Sequence, residues 1–246
     1  PQGIASRRVG MTESTTDAGK GIAEKYFFRA SAADFSKIPS GPIAYWLGEK
    51  TLKLFEENAP LADVTNPRVG LLTSDNERFL RYFWEVDYST CCLNAATDDE
   101  AADSGKRWFP HNKGGGFRKW SGNYELLVDW ENNGERIKQT VLQKYPYLKG
   151  NPNFVVHDEG YYFKPCITWS EIGTGPLSFR LLPSGFTSNI KGMCSYEVEG
   201  ATLHQLLLLC NGKIVSHLAK ALNPTVGFGI NNFKSIPAAL PSLDRA

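Results

Sequence analysis

The apolar and polar positions divide the chain into short helices and short strands, with no internal repeat. Apolar residues recur at helical spacing in residues 44–57, 135–144 and 201–222, and an Asn-Gly pair at 211–212 separates two helices in the last of these. Runs rich in β-branched and aromatic residues predict strands at residues 26–29, 69–72, 124–130, 161–169, 177–182 and 186–190. The pattern predicts an α+β fold, in which helices flank an irregular mixed or antiparallel sheet.

Residues 71–86 contain the strongest helical pattern of the first half of the chain. Ser74 and Glu77 stand three residues apart, which is the spacing of a capping box. The predicted buried stripe has five members at or beside helical spacing: Phe79, Leu80, Phe83, Trp84 and Val86. We therefore expect one capped amphipathic helix here, with Arg78, Arg81 and Glu85 towards its other face.

A basic, glycine-rich stretch follows at residues 106–119. It holds five Lys or Arg side chains and one His but no carboxylate, and three consecutive glycines occupy positions 114–116. Glycines let a backbone turn sharply and approach a ligand closely. Trp108 and Phe109 precede the glycines, and Phe117 and Trp120 follow them, so we expect a basic hairpin braced by two aromatic strands. Such a hairpin suits contacts to phosphates and base edges, although a solvated basic loop is the alternative interpretation.

Composition limits the classes of function. Lys and Arg number 27 and Asp and Glu number 26, giving a net charge of +1, whereas a sequence-independent nucleic-acid coat is usually much more basic. The acids of residues 98–103 form a patch that leaves room for a basic face elsewhere. The five cysteines and four histidines show neither CxxC pairs nor metal-ligand spacing, which is typical of a reduced cytoplasmic protein without a metal. No apolar run is long enough to span a membrane, and a chain that begins at Pro1 fits a segment of a longer protein.

Three motifs carry a resemblance to a known family: GLLTSDNERFLRYFWEV, KRWFPHNKGGGFRKWSGN and LLVDWENNGE. They resemble the region that follows the catalytic domain in the BREX phage-defence adenine methyltransferases of the PglX family, which related type IIG restriction-modification enzymes share. The resemblance extends over nearly the whole chain, from IPSGPIAYWL to the C-terminal run that ends in NNFKSIP. Two positions depart from it, since Ser74 stands where a glycine is expected and Phe228-Gly229 replaces Phe-Gln.

The resemblance implies a target-recognition domain of an adenine N6 DNA methyltransferase, with a fold like that of other methyltransferase target-recognition domains and specificity subunits. We expect a division into a polar lead-in (1–25), a DNA target-recognition core (26–198) and a C-terminal helical segment packed on the core (199–246). The chain contains neither an NPPY-type motif nor a glycine-rich cofactor turn. We therefore expect S-adenosylmethionine to bind in a catalytic domain outside this chain, and no cofactor or catalytic residue within it.

Double-stranded DNA is the expected partner, beside the methyltransferase domain and other phage-defence subunits. Lys side chains suit phosphates, while Arg and Asn match guanine and adenine edges. The expected phosphate contacts are Lys106, Arg107, Lys113 and Lys119; the expected base-edge contacts are Asn76, Arg78, Asn112, Arg118 and Asn123; Arg81 and Arg180 are further DNA-binding candidates. A module that docks a methyltransferase through exposed leucines of the C-terminal helices, or a carbohydrate-binding domain, would be the alternatives.

Overall fold

The computed structural model describes residues 31–173, 175–198 and 201–239, and the predicted lead-in at 1–25 and strand at 26–29 lie outside them. The strands are β1 Asn66–Arg68, β2 Leu80–Tyr82, β3 Trp108–Asn112, β4 Leu126–Asp129, β5 Cys166–Ser170, β6 Phe179–Leu182, β7 Thr187–Ser188 and β8 Gly192–Tyr196. The helices are α1 Ala32–Ser36, α2 Glu49–Glu57, α3 Leu61–Val64, α4 Asn76–Phe79, α5 Asp98–Asp103, α6 Glu131–Lys144, α7 Leu203–Cys210, α8 Lys213–Leu222 and α9 Ile230–Lys234. Short 3-10 turns occupy Phe83–Glu85, Tyr88–Thr90, Pro146–Leu148, Pro152–Phe154 and Glu159–Tyr161.

The strands form two four-stranded sheets, which confirms the α+β class. The first sheet has the order β1-β8-β5-β6, and all its pairs are antiparallel. Its register places Thr168 opposite both Arg180 and Cys194, so these three side chains share one face. The second sheet has the order β2-β4-β3-β7, with β3 and β7 parallel.

The C-terminal helices cover the opposite face of the first sheet. Trp169 and Phe179 point into this layer, where the ring of Phe233 from α9 stacks on Trp169 at 4.3 Å between centroids. Leu206 of α7 and Val215 of α8 belong to the same buried cluster. The helices and the sheet therefore share one core. Each fully buried side chain of this size stabilises it by roughly 1.5–3 kcal/mol.

The Asn-Gly pair separates α7 from α8, as the sequence predicts. Asn211 has a further role, because its side chain pairs with the backbone of Phe179 in both directions. Its Oδ1 accepts from the Phe179 nitrogen at 3.0 Å, and its Nδ2 donates to the Phe179 carbonyl at 2.9 Å. The joint between the two helices is thereby attached to the edge of β6.

The prediction of one amphipathic helix at residues 74–86 is wrong. Asp75 rather than Ser74 caps the helix, accepting from the Arg78 nitrogen at 3.1 Å, and α4 ends after a single turn at Phe79. Residues 80–82 then pair with β4, and this tertiary pairing overrides the local helical pattern. As a result Phe83 and Trp84 are 59% and 61% exposed instead of buried.

The predicted basic hairpin is wrong as well. Residues 108–112 form β3, whose five residues are all buried and which pairs with β4 and β7 rather than with residues 117–120. Trp108 and Phe109 therefore belong to the core, while Phe117 and Trp120 are about half exposed. The acidic patch forms helix α5. Thr97 caps its N-terminus, since the Thr97 hydroxyl accepts from the Glu100 nitrogen at 3.1 Å.

The other elements agree with the sequence more closely. The strand predicted at residues 124–130 is β4, and those predicted at 161–169, 177–182 and 186–190 correspond to the shorter β5, β6 and β7. The helix predicted at 44–57 is confined to α2. Within α6 the regular helix begins at Glu135, as predicted, after a left-handed turn at residues 132–134.

Candidate nucleic-acid interface

The glycine-rich loop, defined here as residues 113–122, leaves β3 and crosses to the edge of β6. Its backbone is left-handed at several positions, among them Gly114, Gly115 and Trp120. For Trp120 this conformation is uncommon, and two backbone hydrogen bonds hold it. Its nitrogen donates to the Phe179 carbonyl at 2.9 Å, and its carbonyl accepts from the Leu181 nitrogen at 2.8 Å. The loop is thus tied to β6 on both sides of Arg180.

Asn112 fixes the start of the loop from inside the protein. Its Nδ2 donates to Thr168 Oγ1 at 2.7 Å and to the Gly192 carbonyl at 2.9 Å, and its Oδ1 accepts from the Gly114 nitrogen at 3.2 Å. The side chain is almost wholly buried. The expectation that Asn112 reads a base edge is therefore corrected, because its amide already serves to join the loop to β5 and β8.

His111 lies beside Asn112 and is fully buried. Burial, with a smaller effect from the charge of Lys113, lowers the pKa of His111 to about 3, so the imidazole is neutral. The Thr187 hydroxyl donates to the Pro110 carbonyl and lies 2.8 Å from His111 Nδ1, so it accepts the Nδ1 proton. This neutral pair fastens β3 to β7 beneath the loop.

A cleft of about 1040 Å³ opens between the glycine-rich loop and helix α8. Gly115, Gly116, Phe117 and Lys119 belong to one wall. The polar side of α8 forms the other wall, with Lys213, Ser216, His217 and Lys220. The rest of the lining comes from the end of β5 with the segment that follows it, from residues 223–226 with Phe228, and from Trp46. The cleft is therefore built from elements of both halves of the chain.

The charge of the cleft is positive. Lys119, Lys213 and Lys220 line it, whereas Glu171 is the one carboxylate among its described lining residues. Glu171 pairs with Lys191, so its charge is compensated. Lys213 and Lys220 are exposed on α8 and make no ion pair within the described part of the chain. Lys119 donates to the Asn211 carbonyl at 2.8 Å, beside the C-terminus of α7.

Three predicted DNA-binding residues lie on or beside the loop with accessible side chains. Arg118 is exposed, and its aliphatic part lies against Gly122, where an added Cβ would be only 2.6 Å from the Arg118 Cδ. Asn123 donates to the Gly116 carbonyl at 3.0 Å, which braces the turn. Lys113 is half-buried at the start of the loop. These three residues lie on or next to the same loop as Lys119, but of the four Lys119 alone lines the cleft.

Arg107 is instead part of an ion-pair network around the buried Asp129, in which the two arginine side chains stay partly exposed. Its guanidinium binds Asp129 at 3.0 Å, and Arg136 binds the same carboxylate oxygen. Asp129 is almost fully buried, so both arginines neutralise it. Arg107 and Arg81 also flank the ring of Trp108 at 5.0 and 5.9 Å. The structure therefore gives Arg107 a stabilising role in the second sheet.

The remaining candidates near the second sheet also have internal contacts. Asn76 accepts from Thr73, Arg78 stacks over the Phe79 ring, and Lys106 donates to the Ser89 carbonyl at 2.7 Å. None of the five predicted residues in this region lines the cleft: Asn76, Arg78, Arg81, Lys106 and Arg107. The sequence therefore grouped residues that the fold separates into two regions.

Arg180 is the most deeply placed candidate, with 0% of its surface exposed. It lies on β6 beneath the glycine-rich loop, and its Nη2 donates to Ser170 Oγ at 3.3 Å. The Ser170 hydroxyl in turn donates to the Gly115 carbonyl at 2.8 Å. Loop and sheet therefore cover Arg180, and its side chain is not exposed on the cleft surface.

Sequence reasoning missed the basic side of α8. Its leucine-rich pattern indicated core packing, which Leu218 and Val215 confirm. The signal was present in the complementary positions, since Lys213, His217 and Lys220 are spaced at i, i+4 and i+7 and therefore share one side of a helix.

Among the residues that the structure covers, no three His, Cys, Asp or Glu side chains form a metal site, and no helix could cross a membrane.

Comparison with known proteins identifies relatives of the chain. No protein-family model matches it. The adenine-specific methyltransferase PglX of Lacticaseibacillus casei (strain Zhang) is 33% identical over 215 residues, which covers 87% of this chain and 17% of that protein. The adenine-specific methyltransferase BrxX of Escherichia coli O9:H4 (strain HS) is 28% identical over 207 residues, covering 83% and 15%. The chain is therefore homologous to a segment of the adenine-specific methyltransferases PglX and BrxX.

Proposed function

We propose that the chain binds double-stranded DNA as the target-recognition region of an adenine-specific DNA methyltransferase of a BREX or related defence system. The observation that carries this proposal is the cleft, where three lysines and a glycine-rich loop line one open surface. Lysine ammonium groups suit phosphate oxygens, and glycines allow the backbone to approach a ligand closely. The homology to PglX and BrxX supports the same conclusion, since both relatives carry the name adenine-specific methyltransferase.

The lysines of the cleft and the exposed part of the adjoining glycine-rich loop divide the tasks of recognition. Lys213 and Lys220 on α8 meet backbone phosphates from one side, and Lys119 meets them from the other. Arg118 projects from the exposed part of the loop, and its guanidinium can form two parallel hydrogen bonds with a guanine edge. Asn123 holds the turn in place through the Gly116 carbonyl. Phosphate contacts thus position the duplex, and the loop samples its sequence.

Methyl transfer belongs to the rest of the protein. The chain spans 17% of PglX and 15% of BrxX, so most of each relative lies outside the matched segment. S-adenosylmethionine would bind there, and the target adenine would be turned out of the duplex to reach it. The methyltransferase domain is accordingly a partner of this chain, and other defence subunits are further partners of the assembly.

The test is binding of the chain to a labelled random-sequence duplex by fluorescence anisotropy across a salt series. The variant Lys213→Gln/Lys220→Gln removes two charges from the cleft. The matched control Lys149→Gln/Lys164→Gln removes two exposed charges from residues that do not line it. Each lost phosphate contact lowers the slope of log K against log salt by about 0.9, so we expect the cleft variant to lose about 1.8.

The outcomes separate the proposal from its failure. A lower salt slope for the cleft variant, with the control equal to wild type, supports phosphate binding in the cleft. Equal slopes for both variants would place DNA elsewhere on the surface. No binding by the wild-type chain at low salt would remove the proposal for this chain. Selection of the bound pool then gives the recognised site, if binding is specific.

A docking module is the second candidate, and exposed apolar side chains favour it. Leu208 and Ile214 of the C-terminal helices are 64% and 62% exposed. Single exposed residues of this kind are normal, whereas a contiguous apolar patch is typical of an interaction surface. Salt distinguishes the two functions, because phosphate-driven binding weakens steeply with ionic strength and apolar docking does not. Leu208→Ser/Ile214→Ser would abolish docking to the methyltransferase domain and leave DNA binding unchanged.

A further inference from the structure

Arg180 carries a buried positive charge without a carboxylate partner. No carboxylate within the described residues forms an ion pair with it, although Cys194, Tyr124 and Glu125 are close enough to act on its charge. Nε and Nη1 have no hydrogen-bond partner, and Nη2 has only the Ser170 hydroxyl. Burial lowers the pKa of Arg180, which reflects the unfavourable desolvation of its charge. An arginine in this state is costly unless an acceptor completes its surroundings.

The position of the guanidinium shows where an acceptor would come from. Ser170 lines the cleft and joins Arg180 to the glycine-rich loop, since its hydroxyl accepts from Nη2 and donates to the Gly115 carbonyl. The Arg180 guanidinium therefore lies behind the cleft wall, and the Ser170 hydroxyl separates it from the cleft. The wall at this point is Gly115 and Gly116, which have no side chains to block an approach.

The two ends of the loop are fixed by the protein interior, whereas its middle is held only by side-chain bonds to the Gly115 and Gly116 carbonyls. Asn112 holds its start, and Trp120 is bonded to β6 on both sides of Arg180. Between these two anchors, residues 115–118 are exposed. A shift of the glycines that breaks the bonds to Ser170 and Asn123 would uncover the guanidinium and leave both anchors in place.

We infer that Arg180 is an internal phosphate-binding residue, whose guanidinium receives a backbone phosphate of the bound DNA at Ser170, behind the glycine-rich loop. This inference rests on the proposed function and adds a residue to its site. The phosphate supplies the acceptor that Nε and Nη1 lack. A charge surrounded by protein is less screened by salt than the exposed lysines of the cleft, so it attracts the phosphate more strongly.

The experiment compares Arg180→Met with Ser170→Ala in the full chain, using anisotropy with the labelled random-sequence duplex and urea unfolding without DNA. Methionine fills similar space without charge. We expect Arg180→Met to bind DNA roughly tenfold or more weakly, because a charge-assisted contact is lost. We also expect its stability to equal or exceed that of wild type, because an uncompensated buried charge is removed.

Ser170→Ala separates phosphate binding from a merely structural role. If Arg180 only positioned the loop through Ser170 and Gly115, removing the hydroxyl would weaken DNA binding as much as Arg180→Met does. If Arg180 receives a phosphate, Ser170→Ala frees Nη2 and DNA affinity is kept or increased. Arg180→Met with wild-type affinity would overturn the inference, and so would loss of folding in that variant. No binding by the wild type would instead refute the proposed function itself.

Discussion

The neutral, buried imidazole of His111 makes the stability of the fold depend on pH. In the folded chain the pKa of His111 is about 3, and in the unfolded chain it takes its ordinary value of 6.5. Protons therefore bind the unfolded state first as the pH falls. The contribution of His111 is fully present above about pH 6.5, declines between about pH 6.5 and 3, and is lost below that range.

The size of the effect follows from these two values. Between pH 7 and pH 5 the unfolded histidine becomes almost fully protonated while the folded one stays neutral. Linkage then predicts that the free energy of unfolding falls by about 2 kcal/mol from this residue alone. His111 Nε2 has no hydrogen-bond partner in the part of the chain that the structure describes, so nothing stabilises the protonated form in place.

Urea unfolding followed by tryptophan fluorescence at pH 7, 6 and 5 measures this term as a difference between variants. His111→Gln is neutral at each pH, so its stability should fall between pH 7 and pH 5 by about 2 kcal/mol less than that of the wild type. His204→Gln removes an exposed histidine from α7 and is the matched control, with the wild-type profile expected. Parallel profiles for wild type and His111→Gln would refute the reasoning.

Three further predictions concern the site and its support. Arg118→Ala should weaken binding to the selected duplex by about 1–3 kcal/mol and relax specificity, as measured by anisotropy on selected and altered sites. Gly192→Ala should cost about 1–3 kcal/mol in urea unfolding, because the new Cβ would lie 2.6 Å from a backbone nitrogen of the glycine-rich loop. Phe233→Ala should cost about 3–5 kcal/mol and change the near-ultraviolet circular dichroism of Trp169, whereas the exposed control Phe154→Ala should stay within about 0.5 kcal/mol.

Sequence patterns predicted the elements whose local and tertiary preferences agree. Helix α8 has apolar residues at helical spacing and an Asn-Gly pair before it, and it forms where expected. Residues 76–86 show the opposite case. Their helical spacing is real, but Leu80 pairs with Val128 of β4, and this pairing turns the chain from a helix into a strand. A partner that lies about fifty residues away is not visible in the spacing of a short segment.

The candidate site shows the same limit at the level of side chains. Composition alone marked residues 106–119 as basic, and the exposed Arg118 fits that interpretation. It could not show that Arg107 neutralises Asp129 or that Asn112 bonds inward to Thr168, because both partners are distant in sequence. Residue type determines which contacts a side chain can make. The fold determines whether those contacts are made with solvent and ligands or with other parts of the protein.

Strand β6 explains how distant segments produce one cleft. An edge strand needs its free backbone groups covered, and two segments do this here. Trp120 of the glycine-rich loop bonds to Phe179 and Leu181, and the side chain of Asn211 bonds to Phe179. The bonds of Trp120 fix the glycine-rich loop, which forms one wall of the cleft. The bonds of Asn211 fix the start of α8, which forms the other wall. Strand β6 therefore fixes the distance between the basic groups of the two walls. Arg180 lies within this strand.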